Sequence, residues 1–586
     1  MVNNAKTMNM MTKAMRLLSV LALVAAGTMM IGCSSEYDGL NEQPQVKQTT
    51  DKQVTDSIVT LTTTISRADD STQTRGLTEA GVKTFVPNET VAVVFETQGG
   101  YSRVDVMLSE GEITNGGKTA TISFNVSGSN VKENGFVKYI YPAAMAKDNG
   151  DGDLDKLYNE QDGTLSTLSS TFDYARFDGN FEGTQLPKGT LTNQLALCKF
   201  TIKDGDGTDI TSQLTKLTIK NGTDVYYVNT SSLSNIWVAL KPITSGKIDI
   251  YAAKNTYLYR KSVSGKTLAV NTLTPIKVTA PLVPGALSGL FSVNDNHDLV
   301  YFSQGNLQAR WHNSTWANWY FADHQHEFIM NYQGNVRVGA PQDGDVIDLF
   351  GWSTNYGKNY YGINASTDND PEKADYVYQG NFYDWGNTII QNGDFTSGCL
   401  WRTLSYDEFK YILKTRSAST ISGKANARFL MAHFPGDGEG KIHIAGVVLF
   451  PDNYKLPALD NTTITNTAVN MSSTYGAEYN VWEPVATLDW GDWGKMEAAG
   501  AVFLPNAGSR NGKAVKLYDY LNVYPWGGYW TSTKGINDNT GNYESWCAGT
   551  LQCEWYEDKY QVVFVDATSR HTGLSVRLVG PGAYNK

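Results

Sequence analysis

The sequence predicts a mostly β protein: two antiparallel β-sandwiches in the N-terminal half, followed by an α+β body that fills the C-terminal half. Three observations carry this. In Ser57-Ile58-Val59-Thr60-Leu61-Thr62-Thr63-Thr64-Ile65 the odd positions are mainly apolar and the even ones mainly polar, the period of a strand with one buried face. Of the 14 tryptophans, only Trp237 precedes residue 310, so the C-terminal half is an aromatic-rich body of its own. That half is also rich in Gly, Asn and Tyr, and few of its segments carry helical periodicity.

At 586 residues the chain is too long for one hydrophobic core, and about three domains are expected. A net charge of −11 argues against nucleic acid, whose phosphates call for a basic surface. Residues 1–33 read as an export leader: Lys6, Lys13 and Arg16 precede an apolar run, Leu17 to Ile31, too short for a permanent span. The run closes in Met30-Ile31-Gly32-Cys33. This resembles a bacterial lipobox, with Met30 where Leu is usual, and the resemblance implies that Cys33 is acylated and the protein anchored in the outer membrane. An ordinary secretory signal is the alternative. The acidic residues that follow, Glu36 and Asp38, resemble the surface-export signal of Bacteroides-type lipoproteins. Residues 34–55 are polar and read as a flexible tether.

The first sandwich is expected over 56–183 and the second over 184–284. Ile122, Phe124 and Val126 repeat the strand period, as do Leu217 and Ile219. Asp, Gly and Asn crowd 147–165, which reads as a long loop, and Leu186-Pro187-Lys188-Gly189 is taken as the start of the second sandwich. Pro281-Leu282-Val283-Pro284-Gly285 is expected to end strand pairing and mark the next boundary. The lipobox, the first strand, Thr74-Arg75-Gly76, Val91-Ala92-Val93-Val94-Phe95 and Tyr139-Ile140-Tyr141-Pro142-Ala143 together resemble the fimbrillins, the transthyretin-like lipoprotein pilins of Bacteroides-type bacteria. In that family a protease can cut after an arginine of the first domain, and Arg75 stands at the corresponding place; a solvated loop arginine is the plainer reading.

In the C-terminal body, 285–586, Ser405-Tyr406-Asp407-Glu408 is a capping box that starts a helix. Phe409, Ile412 and Leu413 form its apolar face, and Lys414 and Arg416 suit its C-terminal end. A second helix is expected over 490–499 with Gly500 just past its end, and strands over 446–450, 501–504, 561–565 and 575–579. Eight blocks then resemble one domain family in order. They are Phe291-Ser292-Val293, Val300 to Gln308, Ile347 to Trp352, Trp401-Arg402-Thr403-Leu404, Gly446 to Asp452, Ala501 to Gly512, Tyr529-Trp530-Thr531-Ser532-Thr533 and Gly573-Leu574-Ser575-Val576-Arg577. The family is the C-type-lectin-like domains of Bacteroides surface proteins. It is distantly similar to the formylglycine-generating enzyme fold and to the variable proteins of diversity-generating retroelements.

In retroelement-diversified members, replacement of adenines turns AAC codons into NNC, which never encode Trp, Lys, Glu, Gln or Met. The positions concerned cluster just before the final Gly-x-Ser-Val-Arg, within a variable-type region here at about 505–579. Every residue of Asp566-Ala567-Thr568-Ser569-Arg570-His571-Thr572-Gly573-Leu574 belongs to the NNC set. The resemblance therefore implies a ligand face from Asp566, Ala567, Thr568, Ser569, His571, Thr572 and Leu574. A second patch would be Leu517, Tyr518, Asp519 and Tyr520, beside Lys516, which falls outside the set. Tyr supplies contact area at low entropic cost and short polar residues supply hydrogen bonds, so this composition suits recognition. Trp530 is expected to be buried scaffold; Trp526 or Trp555, if exposed, could stack on sugar rings.

Other chemistries find little support. Glu483-Pro484-Val485 and Trp385-Gly386-Asn387 are the nearest matches to a lectin calcium site, and Val485 has no side-chain oxygen to give a hard cation. Asp323-His324-Gln325-His326-Glu327 would place two imidazoles on one strand face without a third ligand, so hydrogen-bonded or solvated histidines are expected. Cys198 alternates with Phe200 and Ile202 and reads as inert core. Cys547 and Cys553 have a spacing roughly like that of the redox pair of formylglycine-generating relatives; whether they pair is left open. No enzymatic activity, cofactor or metal is expected. The reading is a surface-anchored pilus-tip or fimbrial adhesin that binds a host, bacterial or phage surface protein or glycan through its C-terminal body and meets other fimbrial subunits through its sandwiches. The alternative is a structural or accessory fimbrial subunit without a ligand.

Overall fold

The computed structural model describes residues 57–67, 84–270, 272–313, 315–329, 342–353, 382–393, 400–435, 444–464, 486–511, 514–516, 526–537, 542–556, 559–570 and 572–581. The fold is mostly β, built from several sheets. The first strand, Ile58–Arg67, pairs antiparallel with Thr119–Ser127, so that Leu61 lies opposite Phe124 and Thr63 opposite Ile122. These strands belong to an eight-stranded sheet that wraps a core of Ile65, Val93, Phe95, Ile122 and Tyr139. Burial along Ile58–Arg67 alternates as its side chains predict.

Strand Gly189–Asn193, expected in the second sandwich, completes the first instead. It pairs parallel with Ile58–Arg67 and antiparallel with Ala175–Asn180, and Leu191 enters the first core. Pro187 is tied there too, its carbonyl accepting from Tyr139 Oη (2.8 Å) and Thr63 Oγ1 (2.9 Å). The 147–165 stretch holds a helical turn, Lys156–Asn159, and leads into another, Leu165–Thr167. Leu157 is fully buried in the second core because Gln161 clamps the segment, donating to Ala239 O (2.9 Å) and accepting from Ala239 N (2.8 Å).

In the second body a three-stranded sheet, Ile236–Leu240, Ala196–Lys203 and Leu273–Thr279, packs on Lys216–Asn221 and Ile243–Lys254. Leu273–Thr279 runs parallel to Ala196–Lys203, so neither sandwich is purely antiparallel. Cys198 is fully buried and has its thiol pushed up to about 12 by desolvation, which leaves it inert, as its alternation with Phe200 predicts.

The expected break at 281–285 is absent. Strand Leu282–Ser292 runs through it, pairing on one side with Tyr257–Leu268 and on the other with Leu299–Ser303. Tyr257 faces Leu287 and Tyr259 faces Leu282, a bulge wide enough to absorb Pro284 and the positive φ of Gly285 without ending the ladder. One eight-stranded sheet therefore crosses from Asp224–Asn229 of the second body to Leu578–Gly580 and Arg402–Thr403 of the C-terminal region.

Both expected helices form. Ser405 accepts from Glu408 N (3.1 Å), Glu408 accepts from Ser405 N (2.8 Å), and helix Tyr406–Lys410 continues as a wider turn, Tyr411–Thr415, with Phe409, Ile412 and Leu413 fully buried. Arg416, which suits the C-terminal end of this helix, is 1% exposed and salt-bridged. Helix Trp490–Ala498 is capped by Asp489 and closes on Gly500 at φ +98°. There Gly500 O touches strand Leu282–Ser292: a Cβ on Gly289 would lie 2.1 Å from it. Neither side of that contact is a flexible side chain, so Gly289→Ala is expected to lower stability by about 1–3 kcal/mol. An unchanged midpoint in denaturant titration would refute the close approach.

Candidate functional site

The eight sequence blocks converge. Phe291 pairs with Val300, and Phe302 with Val579; Arg402 also pairs with Val579, and Val447 with Leu504. Gly573, Leu574 and Ser575 cross between three segments: Gly573 exchanges backbone hydrogen bonds with Arg510, Leu574 with Phe350, and Ser575 bonds Gly528 and Trp530. That crossing explains why 575–579 is a strand only at its end, Leu578–Gly580.

Buried polar groups lock this junction. Trp352 Nε1 donates to Thr531 O (2.8 Å) and Trp530 Nε1 to Phe350 O (2.6 Å). Trp530 is 1% exposed, in line with its expected scaffold role. Arg577 donates to Asn306 Oδ1 (3.3 Å) and Gln325 Oε1 (3.1 Å), and loss of hydration pulls its guanidinium down to about 10. Gln325 also accepts from Phe503 N (2.7 Å) and donates to Glu497 Oε1 (2.8 Å). Sequence reasoning passed over Gln325; its place between two histidines drew attention to them instead.

The candidate face lies on this lock. The closing sheet consists of Gly527–Asn537, Asn542–Tyr556 and Lys559–Ser569. Positions 566–569 end its last strand, with Thr568 opposite Ala548 and Ser569 opposite Cys547. Ala567, Thr568, Ser569 and Thr572 are all half-buried. Thr568 Oγ1 shares a hydrogen bond with Thr550 Oγ1 (2.8 Å) and accepts from Gln552 Nε2 (3.0 Å), and Thr572 N closes a turn on Ser569 O (3.0 Å). Two neighbours turn inward. Leu574 is fully buried in the core with Phe350 and Trp530, so it does not join the solvent-facing set expected for it. Arg570, 1% exposed, stacks 4.4 Å over Trp352 and donates to Cys547 O (2.7 Å). Cys33, Arg75, Leu517, Tyr518, Asp519, Tyr520 and His571 lie outside the described residues, as does Glu483-Pro484-Val485; of Asp566 only the backbone is described.

Cys547 and Cys553 sit six residues apart on one strand, about 20 Å at strand rise, and are not bridged to each other. Trp385-Gly386-Asn387 forms a turn capped by Asp384, with Trp385 fully buried. His324 and His326 lie in a turn rather than on a strand; their rings stack at 5.4 Å, and His326 meets Trp490 edge-on at 4.6 Å. Among the described residues no group of three His, Cys, Asp or Glu could hold a metal ion, and no helix is long and apolar enough to cross a membrane.

No protein-family model matches the sequence, and no curated protein matches it. Solved structures overlap parts of it. A fimbrial assembly protein from Parabacteroides distasonis aligns over 42% of this chain and 96% of its own, at 9% identity and a TM-score of 0.23. A protein ascribed to cell adhesion from Bacteroides ovatus aligns over 38% and 94%, at 12% identity and 0.25. The minor pilin of Streptococcus agalactiae aligns over 38% and 96%, at 10% identity and 0.18. Overlaps this weak establish neither kinship nor role.

Proposed function

We propose that the chain is a surface-anchored adhesin of fimbrial type, exported through its leader, held in the outer membrane by a lipid on Cys33, and binding a surface protein or glycan without catalysis. The observation that carries the reading is the closing strand: Ala567, Thr568, Ser569 and Thr572 stand half-exposed beside Arg570 and Leu574, which are sunk into a tryptophan-lined lock. A rigid floor beneath short polar side chains is what a recognition face with replaceable contacts requires. The sandwiches then serve as the mount that meets other fimbrial subunits, and the retroelement resemblance accounts for the composition of 566–572. The test is a combined Asp566→Ala, Thr568→Ser, Ser569→Ala and Thr572→Ala variant of the intact chain, with Arg570 retained and the hydroxyl that bonds Thr550 and Gln552 kept by the serine. It is expected to keep the wild-type melting profile and lose adherence to a panel of host and bacterial cells that the parent binds. Full adherence would move the contact surface elsewhere. Adherence by neither protein would favour a structural subunit.

A further inference from the structure

A cleft of about 1090 Å³ opens between the second body and the C-terminal region, far larger than the 240 Å³ cavity beside it around Thr215 and Ala253. One wall comes from Tyr158, Thr223 and Asp224, the other from Asp295, Tyr411 and the 415–420 segment. The walls are fixed relative to each other, because the sheet that crosses at Leu282–Ser292 is common to both sides. The floor is fixed as well. Asp452 takes Arg416 Nη1 at 2.6 Å, Tyr227 Oη at 3.0 Å and Ser292 N at 2.8 Å. The cleft is thus a preformed feature rather than a gap between mobile parts, and its volume suits a small ligand of several rings.

Its lining selects among ligand classes. Hydroxyl and amide side chains dominate, so an apolar ligand would leave them unpaired. Asp224 is paired with Lys241 at 2.9 Å and Asp452 with Arg416, and Asp295 and Lys455 also line the cleft, so its charges balance and neither an anion nor a cation meets a net opposite charge. An extended peptide would need a strand edge. The outer edge of Asp224–Asn229 is covered by the turn Lys156–Asn159, and Asn229 N already donates to Gln161 O (3.2 Å). A ligand dense in neutral hydroxyls fits what is left: hydroxyl and amide side chains that can exchange hydrogen bonds with it, and the half-buried Tyr411, whose ring can take the C–H face of a sugar. Tyr158 is oriented by its hydrogen bond to Asp224 Oδ1 (2.5 Å).

We infer that this cleft is a binding site for a neutral oligosaccharide, separate from the 566–572 face and not dependent on it. The probe is a panel of neutral di- to tetrasaccharides built from glucose, galactose, mannose and N-acetylglucosamine, titrated calorimetrically into the intact chain. At least one is expected to bind saturably, to weaken about tenfold or more in Tyr411→Ala, and to be unaffected by Thr568→Ser with Ser569→Ala. Thr223→Trp, at an exposed turn on the cleft wall, blocks entry without touching the core and decides the matter if Tyr411→Ala fails to fold. Saturable binding of no panel member, binding that survives either folded cleft variant, or binding abolished by the Thr568/Ser569 change overturns the assignment. Because adherence through the 566–572 face is read separately on cells, either result can stand without the other.

Discussion

Asp452→Ala is expected to destabilise the body spanning residues 57–586 by about 3–5 kcal/mol, because it strips the counter-charge from a guanidinium that cannot reach water. Arg416 and Asp452 meet at 2.6 Å with side chains 1% and 7% exposed. The guanidinium's other hydrogen bonds, to Ile412 O at 2.8 Å, Phe450 O and Arg428 O at 3.5 Å, go to neutral carbonyls, and these with the Phe291 ring beneath it do not replace a carboxylate. The same substitution also orphans Tyr227 Oη and the Ser292 backbone N–H, each a buried donor. Asp452→Asn keeps the shape and one acceptor oxygen, so a smaller loss is expected. The position matters beyond its energy, since Tyr227 belongs to the second body and Arg416 to the C-terminal region. Trp237 is the one tryptophan of the N-terminal half, so far-ultraviolet circular dichroism and tryptophan emission weigh the two regions differently. Coincident transitions in the parent that separate in Asp452→Ala would show that this carboxylate couples the two. A denaturation midpoint unmoved by Asp452→Ala would sink the hub assignment.

How much of this was legible beforehand depends on whether the deciding interaction is local. The Ser405 cap, the Gly500 stop and the alternation along Ile58–Arg67 are local, and the structure has all three. Pro281 and Pro284 misled because the ladder survives by bulging over them, which requires the partner residues Tyr257 and Tyr259. Gly189–Asn193 misled for a similar reason: its parallel partner lies more than a hundred residues away in Ile58–Arg67. Arg416 carries a charge at a helix end, a pattern that ordinarily means solvent, and nothing nearby announces Asp452. Within the candidate face, codon reasoning treats 566–574 as one class, but strand geometry and the crossing at 573–575 divide it. A nine-residue string cannot show that Arg570 and Leu574 point into the core while Thr568, Ser569 and Thr572 stay half-exposed.

That division yields the second large effect. Arg570→Ala is expected to cost about 3 kcal/mol or more, although the residue sits among side chains whose replacement should cost less than about 1 kcal/mol. Its guanidinium lies 4.4 Å over Trp352, itself fully buried, and its Nε–H satisfies Cys547 O. Truncation empties a large volume against an indole and leaves that carbonyl without its donor. The Trp352 amide N–H also bonds Arg570 O at 2.8 Å, so the backbone that carries the face is held by the same pair of residues. Arg570→Ala should therefore lower the melting temperature and weaken adherence together, whereas the combined 566, 568, 569 and 572 variant should weaken adherence alone. Arg570→Lys restores the charge but not the planar stack or the Nε–H, and is expected to rescue little. If the 3′ coding end is diversified, the same physics constrains it. Among natural copies, codons 567, 568, 569 and 572 should vary, while codon 570 stays arginine and codon 574 stays a large aliphatic. Sequencing that end from a population of cells reads this directly. Free variation at 570 with the fold retained would show that the Trp352–Arg570 stack does not hold the face.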